Sequence, residues 1–293
     1  MLTVLLQQGI NGIVVGSLYV LVALGLTLIY GVLVQINFAH ADIVTLGAFT
    51  AYFVTSLLSG NYFAGIAVAL IVGAVLGWMI NAAIFAPLRS RNSELLPLIA
   101  TIGISIMLQN AMLLLFGPIP YVFNTPYSST VIHLGSVFFT LQNLLIILVS
   151  AITIVLLYAF MKFTFHGKAL RAVSQDYETA ALVGINPSFL IMLTFIIASA
   201  LAGMSGALLG PVLVLTPFAG TSVIVKAFAI VIIGGFGNVE GTIIAGLIVG
   251  LIESYTTQFL DPGLIDIVVF ALLLVMLALR PTGLIAEKRT ENV

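Results

Sequence analysis

Only 6% of the 293 residues are charged, so the groups able to do chemistry can be taken cluster by cluster. The densest cluster is His166–Pro187, HGKALRAVSQDYETAALVGINP, where Lys168, Arg171, Asp176 and Glu178 fall within eleven positions. Such a polar stretch between two spans reads either as an ordinary interfacial connector or as a surface that touches a partner. A second cluster is Asn37, His40 and Asp42. A metal or proton site is its sharpest reading, but two residues do not fill a coordination shell. A plainer reading makes Asn37 a helix cap and sets Asp42 near the positive helix end. A gate or polar turn within a path is the alternative. Thr101, Ser105 and Gln109 recur four apart on one helix face, with Asn110 beside them. Such a stripe serves hydrogen bonding between helices or lines a path for a polar solute. Of the isolated charges, Lys226 is expected to snorkel to a membrane interface. Glu253 is expected to face a water-filled cavity or a neighbouring helix.

The exclusions are as informative. The chain has no cysteine, hence no disulfide, thiol chemistry or cysteine metal site. Its net charge of −1 gives no nucleic-acid footprint. It has no GxxxxGK[ST] string, so ATP is not expected to bind here. Gly235-Phe236-Gly237-Asn238-Val239-Glu240-Gly241 has glycines without that spacing and reads as a tight turn. No constellation supports an enzyme, and no metal or cofactor is expected in the chain itself.

These residues must be positioned by elements that live in lipid. The hydrophobic fraction is 61% and the charged fraction 6%, against about 25% charged in soluble domains. The apolar runs are roughly 20 residues long and do not alternate, which predicts membrane helices and not a barrel. The expected fold is therefore all-α: a polytopic integral membrane protein of about eight to nine transmembrane segments in a single domain spanning residues 1–293. The segments run roughly over 6–34, 38–58, 62–86, 96–117, 141–162, 189–213, 223–236, 239–259 and 264–280. The seventh is short for a span and reads as a half-helix or re-entrant segment. Eight of the nine Lys and Arg residues, all but Lys226, fall on one side if the nine segments alternate. The positive-inside rule then puts the N-terminus outside, and the C-terminus and the His166–Pro187 loop in the cytoplasm. Gly12/Gly16, Gly73/Gly77, Ala202/Gly206/Gly210 and Gly246/Gly250 form flat stripes for close helix packing, within the subunit or between subunits.

Within the loop, Gly167 is expected to break the chain away from the membrane. Lys168–Ser174 are good helix formers. Asp176 can cap a second turn, with Glu178 near its positive end, and Thr179–Val183 supply a small apolar face. Gly184 suits a helix stop, and Asn186-Pro187 suit the cap and first turn of the next span.

Glu178-Thr179-Ala180-Ala181-Leu182-Val183-Gly184 resembles the EAA-like loop of ABC importer permeases. The wider string GKALRAVSQDYETAALVGIN resembles the loop of the branched-chain amino acid permease family, in its LivH-type subunits. Asn37-Phe38-Ala39-His40 is similar to that family's NFAHGE signature, and Gly103–Asn110 to a string in its fourth apolar segment. Lys226-Ala227-Phe228 with Gly234-Gly235-Phe236-Gly237, and Pro281-Thr282-Gly283-Leu284, resemble its later strings. The likeness runs from Gln8 to Leu284. One departure stands out: Ala41-Asp42 replaces the signature's Gly-Glu, retaining a shortened acid, which puts substrate identity in doubt if that turn shapes the path.

The resemblance implies a permease that imports leucine, isoleucine, valine or related amino acids across a bacterial cytoplasmic membrane. Urea or short amides are the alternative cargo. It implies a second, related permease subunit, two cytoplasmic ATPase subunits holding ATP and Mg, and an extracytoplasmic binding protein. Residues 164–188 would then be the coupling loop, through Gly167, Lys168, Arg171, Asp176, Glu178, Ala180, Ala181 and Gly184. Asn37, His40, Asp42, Thr101, Ser105 and Gln109 would line the translocation path, where weak neutral contacts suit a zwitterion. A secondary transporter using His40, Asp42 and Glu253 is a different class, and it would place paired charges near the midplane, of which the sequence shows no obvious example. A channel would leave the helical loop without a purpose.

Overall fold

The computed structural model describes residues 1–89, 95–135 and 137–285. Arg91, Lys288 and Arg289, three of the basic residues used for orientation, lie outside these. The chain begins with α1 (Leu2–Leu33), α2 (His40–Leu57) and α3 (Tyr62–Ile80). The third continues through a π turn at Asn81–Phe85 into the short α4 (Ala86–Leu88). Pro87 lacks the N–H that would continue the regular ladder there, and a π turn is one way a helix absorbs that loss. Then come α5 (Leu95–Phe116), a hairpin of β1 (Val131–Leu134) and β2 (Val137–Thr140), and α6 (Leu141–Phe163). The hairpin is antiparallel, pairing Val131 with Thr140 and Leu134 with Val137. Two short helices follow, α7 (Phe165–Gln175) and α8 (Tyr177–Leu182). The chain ends with α9 (Pro187–Leu209), α10 (Gly220–Gly234), α11 (Val239–Phe259) and α12 (Ile265–Leu279).

Among the described residues, seven helices are long and apolar enough to cross a membrane. The other two apolar helices are α2, of 18 residues, and α10, of 15. The nine segments expected from sequence are all present as helices, and the seventh is indeed short. The hairpin was not anticipated. It sits at the N-terminal end of α1, where Gln7 Nε2 donates to Phe138 O at 2.7 Å. At the other end of α1, Val32 packs into a small core made by Ala169, Leu170, Val173, Ala180 and Leu190. The bundle therefore has a hairpin face and an α7/α8 face. At 32 residues α1 is roughly 48 Å long, more than enough for a hydrocarbon core about 30 Å thick.

A helix that is apolar all round belongs in the centre. The apolar stretch of α1 is 89% buried and that of α9 67%, against 11% for α5 and 6% for α12. Thus α1 and α9 form the core, while α5 and α12 offer most of their surface to lipid or a partner. All four small-residue stripes pack inside the subunit. A Cβ on Gly12 or Gly16 would strike α11 at Leu251 or Leu247. A Cβ on Gly203 would run into the Ala69 carbonyl of α3, and one on Gly47 would run into Gly203. Gly73 and Gly77 meet α9 at Ser199 and Phe195, and Gly206 meets α2 at Val44.

Candidate functional site

The residues between α1 and α2 do not stay at the bundle's surface. His40 opens α2, and its Nε2 lies 3.2 Å from the carbonyl of Val22. Val22 is eleven residues before the end of α1, roughly 16 Å back along its axis. The chain therefore turns back into the bundle over residues 34–39 and starts α2 from within. The segment between α9 and α10 does the same. The N–H of Gly220, first residue of α10, donates to Thr45 Oγ1 at 2.9 Å. A Cβ on Gly220 would strike the Ala41 carbonyl. The first turns of the two shorter apolar helices thus meet inside the protein, and their backbone N–H groups make this a positive region.

Asp42 lies in that first turn of α2 and is fully buried. Its Oδ1 accepts from Gln109 Nε2 at 3.0 Å, and the same nitrogen lies 3.1 Å from Ser105 Oγ. Thr101 donates to the Leu98 carbonyl at 2.9 Å and accepts a long bond, 3.4 Å, from the N–H of Phe38. The polar stripe of α5 therefore covers the Phe38–Asp42 turn. Five of the six expected path residues share this place: Asn37, Asp42, Thr101, Ser105 and Gln109. His40 is turned away, toward α1 and Gly25, so His40 and Asp42 do not form a pair. Asn37 is not the cap of α2: its Oδ1 accepts from Ala39 N at 3.2 Å and closes a tight turn one step earlier. The helix begins at His40 with Ala39 in the cap position, so Asn37 lies two residues too early to cap it. Asn37 Nδ2 and Asp42 Oδ2 are buried without a hydrogen-bond partner. A buried amide N–H or carboxylate oxygen left unpaired is costly, so each is available to a moving solute or water.

Lys226 finds a partner on the neighbouring helix α11. Its Nζ lies 2.8 Å from Glu253 Oε1 and donates to the Tyr19 hydroxyl at 3.1 Å. Tyr19 donates in turn to Glu253 Oε1 at 3.0 Å. The Lys226 and Glu253 side chains are only 13% and 14% exposed. A paired charge within the spans therefore exists, contrary to the expectation from sequence. The signal was present as two lone, opposite charges in consecutive apolar segments, but their separation of 27 residues gives no register between α10 and α11. Asp266, at the start of α12, adds a second carboxylate 3.9 Å from the same ammonium.

On the α7/α8 face, the break after α6 is made by Thr164 and not by Gly167. Thr164 Oγ1 donates to the Phe160 carbonyl at 2.6 Å and accepts from Gly167 N at 3.0 Å, closing α6 and opening α7. Gly167 instead lies inside α7, where any Cβ would strike the Phe160 carbonyl. Asp176 caps α8 by accepting from Glu178 N and Thr179 N, both at 2.9 Å. The Thr179 hydroxyl also donates to its Oδ2 at 2.6 Å. The Thr179 hydroxyl and N–H, and then the Glu178 N–H, hold the Asp176 carboxyl below its ordinary range. Gly184 follows α8 with φ +85°, and Asn186 caps α9 through Phe189 N at 3.1 Å. Of the eight expected coupling residues, Gly167 and Ala180 are buried beneath the unit and Asp176 shapes it. Lys168, Arg171, Glu178, Ala181 and Gly184 are exposed. Phe165, at the start of α7, and Leu182 and Val183, at the end of α8, are each more than 70% exposed.

Residues 9–277 match the family described as "Branched-chain amino acid transport system / permease component". The chain belongs to this family. LivH of Escherichia coli strain K12, a "high-affinity branched-chain amino acid transport system permease protein", is 34% identical over 301 residues. That alignment covers 98% of this chain and 97% of LivH. BraD of Pseudomonas aeruginosa, described in the same words, is also 34% identical over 301 residues, covering 98% of each chain. A probable LivH of Methanocaldococcus jannaschii is 30% identical over 260 residues, 85% of this chain and 80% of its own. No solved structure gives a significant match. In this permease the Ala41-Asp42 departure falls on the meeting point of α2 and α10. The Ala41 carbonyl backs onto Gly220, and the short Asp42 side chain ends at Gln109.

Proposed function

We propose that this permease is one transmembrane half of an ATP-driven importer carrying leucine, isoleucine, valine or related amino acids inward. It is a transport subunit and not an enzyme. The observation that carries the reading is the α7–α8 unit in a chain of this family. Two capped helices leave Phe165, Leu182 and Val183 exposed together with the charged Lys168, Arg171 and Glu178. Exposed apolar side chains together with charged ones suit a protein interface. The partner there is the ATPase pair, which supplies ATP and Mg. A second, related permease covers part of the exposed bundle surface, and a binding protein delivers solute to the hairpin face. The hairpin face is extracytoplasmic and the α7/α8 face cytoplasmic, because Lys162, Lys168, Arg171 and Arg280 lie toward the latter by sequence order.

Movement of the α7–α8 unit reaches the bundle through the core it shares with Val32 of α1 and Leu190 of α9. In turn α9 packs along α2, with Gly206 against Val44, and so connects to the turn carrying Asp42. There Asn37, Asp42, Ser105 and Gln109 offer brief polar contacts to a zwitterion, Thr101 holds the turn, and His40 anchors it to α1. The partly buried Lys226–Glu253 pair removes one argument against an ion-coupled transporter. Lys226 is nevertheless neutralised in place, and that alternative offers no role for α7–α8. The test is co-purification of the complex in mild detergent. ATPase subunits are expected with the wild type and not with Glu178→Arg/Gly184→Trp. If no ATPase accompanies the wild type, the importer reading fails.

A further inference from the structure

A second polar cluster lies on the α7/α8 face, around a cavity of about 310 Å³ between α1, α6, α7, α9 and the start of α11. This volume is at the lower end of the about 300–1,000 Å³ typical of small-molecule sites. Leu28, Met161, Leu170 and Ile197 give it an aliphatic part, with Thr27, Thr194 and Asn238 also on its walls. The rim carries Lys162, Arg171 and Glu240, all exposed. Lys162 Nζ donates to the Tyr158 hydroxyl at 2.9 Å, and that hydroxyl donates to Glu240 Oε1 at 3.2 Å. The tyrosine therefore stands between cation and carboxylate. Among the described residues every direct ion pair involves Lys226, and Lys162 and Glu240 meet only through the Tyr158 hydroxyl.

Two cations, one carboxylate and an aliphatic pit form the complement of one kind of small molecule. A free aliphatic α-amino acid sets its carboxylate on Lys162 and Arg171, its ammonium on Glu240 and its side chain on Leu28 and Ile197. Charge-assisted contacts of this type are the strong ones. The geometry points to a binding site for a free aliphatic α-amino acid behind α7, separate from the polar turn at Asp42. Leu170, Arg171 and Ser174 of α7 form one side of it. An occupant therefore restrains α7 against α1 and α9. The consequence for regulation rests on the function proposed above: accumulated cytoplasmic product binds here and slows ATP turnover.

The test is equilibrium binding of radiolabelled L-leucine to the purified full chain in nanodiscs, without binding protein. Saturable binding is expected, with leucinamide (no carboxylate) and 4-methylpentanoate (no ammonium) each at least about tenfold weaker. Glu240→Gln weakens leucine about tenfold but leaves 4-methylpentanoate unchanged. Lys162→Met weakens leucine and 4-methylpentanoate but not leucinamide. In the assembled complex, leucine on the α7/α8 side lowers ATP turnover in the wild type and not in Glu240→Gln. The inference is overturned if leucine does not bind saturably at millimolar concentration. Binding that Gln109→Ala abolishes and Glu240→Gln leaves alone overturns it too, as does a tightly held phospholipid in the cavity that leucine does not displace. If leucine binds through Glu240 but the complex takes up no branched-chain amino acid, the site stands and the proposed function falls. Uptake without such binding has the opposite meaning.

Discussion

Replacing Lys226 with methionine tests whether the ion pair holds α10 in place. The ammonium lies 2.8 Å from Glu253 Oε1, with both side chains less than a sixth exposed. At an effective dielectric of about 20, two unit charges at that distance attract by roughly 6 kcal/mol, before the desolvation of either is subtracted. Removing the lysine leaves a carboxylate with Tyr19 as its one donor, since Glu253 Oε2 already lacks a partner. Breaking a fully buried pair destabilises by about 3–5 kcal/mol, and this partly buried one is expected to cost less. Lys226→Met/Glu253→Gln removes both charges and keeps an acceptor for the Tyr19 hydroxyl. It is expected to be less destabilised than Lys226→Met alone, because replacing both ions is often close to neutral. The assay is reversible SDS unfolding in mixed micelles followed by far-UV circular dichroism, run as a double-mutant cycle. If the double variant loses the sum of the two single losses, the charges do not act as a pair. Packing of Gly234 against Gly241 would then be what joins α10 to α11.

Gly203→Leu is expected to destabilise by about 3 kcal/mol or more in the same assay, since even a Cβ overlaps the Ala69 carbonyl. Gly103→Leu, with nothing within 4 Å of its Cβ position, should change stability by less than about 0.5 kcal/mol. Asp42→Asn and Gln109→Ala are expected to lower uptake in proteoliposomes at least about tenfold while leaving ATPase association unchanged. Loss of association instead would make these residues structural. Because hydrogen bonds hold the Asp176 carboxyl below its ordinary range, the cap favours the folded form above about pH 4 and is lost as pH falls through the depressed value. ATPase association should therefore be insensitive to this group between pH 5 and 8. Its titration, read from the carboxyl carbon shift by NMR, should have its midpoint below the usual aspartate range and return toward it in Thr179→Val.

Local chemistry was legible in the sequence because it acts over a few residues. Asp176, Gly184 and Asn186-Pro187 mark ends and caps that depend only on neighbouring backbone N–H groups, and all fall where expected. Length and apolarity likewise identified nine helical segments, since a helix in lipid must satisfy its own backbone. The small-residue stripes were visible, but not their partners. Any such stripe permits close approach, and only the packing of α1 on α11 and of α2 and α3 on α9 decides that they meet inside the subunit.

Tertiary structure alone decided the rest. Neither the length of residues 34–39 nor that of 210–219 says that the chain turns back into the bundle. That depends on His40 finding the Val22 carbonyl and Gly220 finding Thr45. The sequence placed Asp42 and Gln109 in separate helices, 67 positions apart, and the fold made them a hydrogen-bonded pair. It showed Lys226 and Glu253 as lone charges, and the fold neutralised them against each other. Sequence determined which groups a membrane would have to satisfy. Helix packing chose their partners, because hydrogen bonds and ion pairs act over about 3 Å and only the folded chain brings distant positions that close.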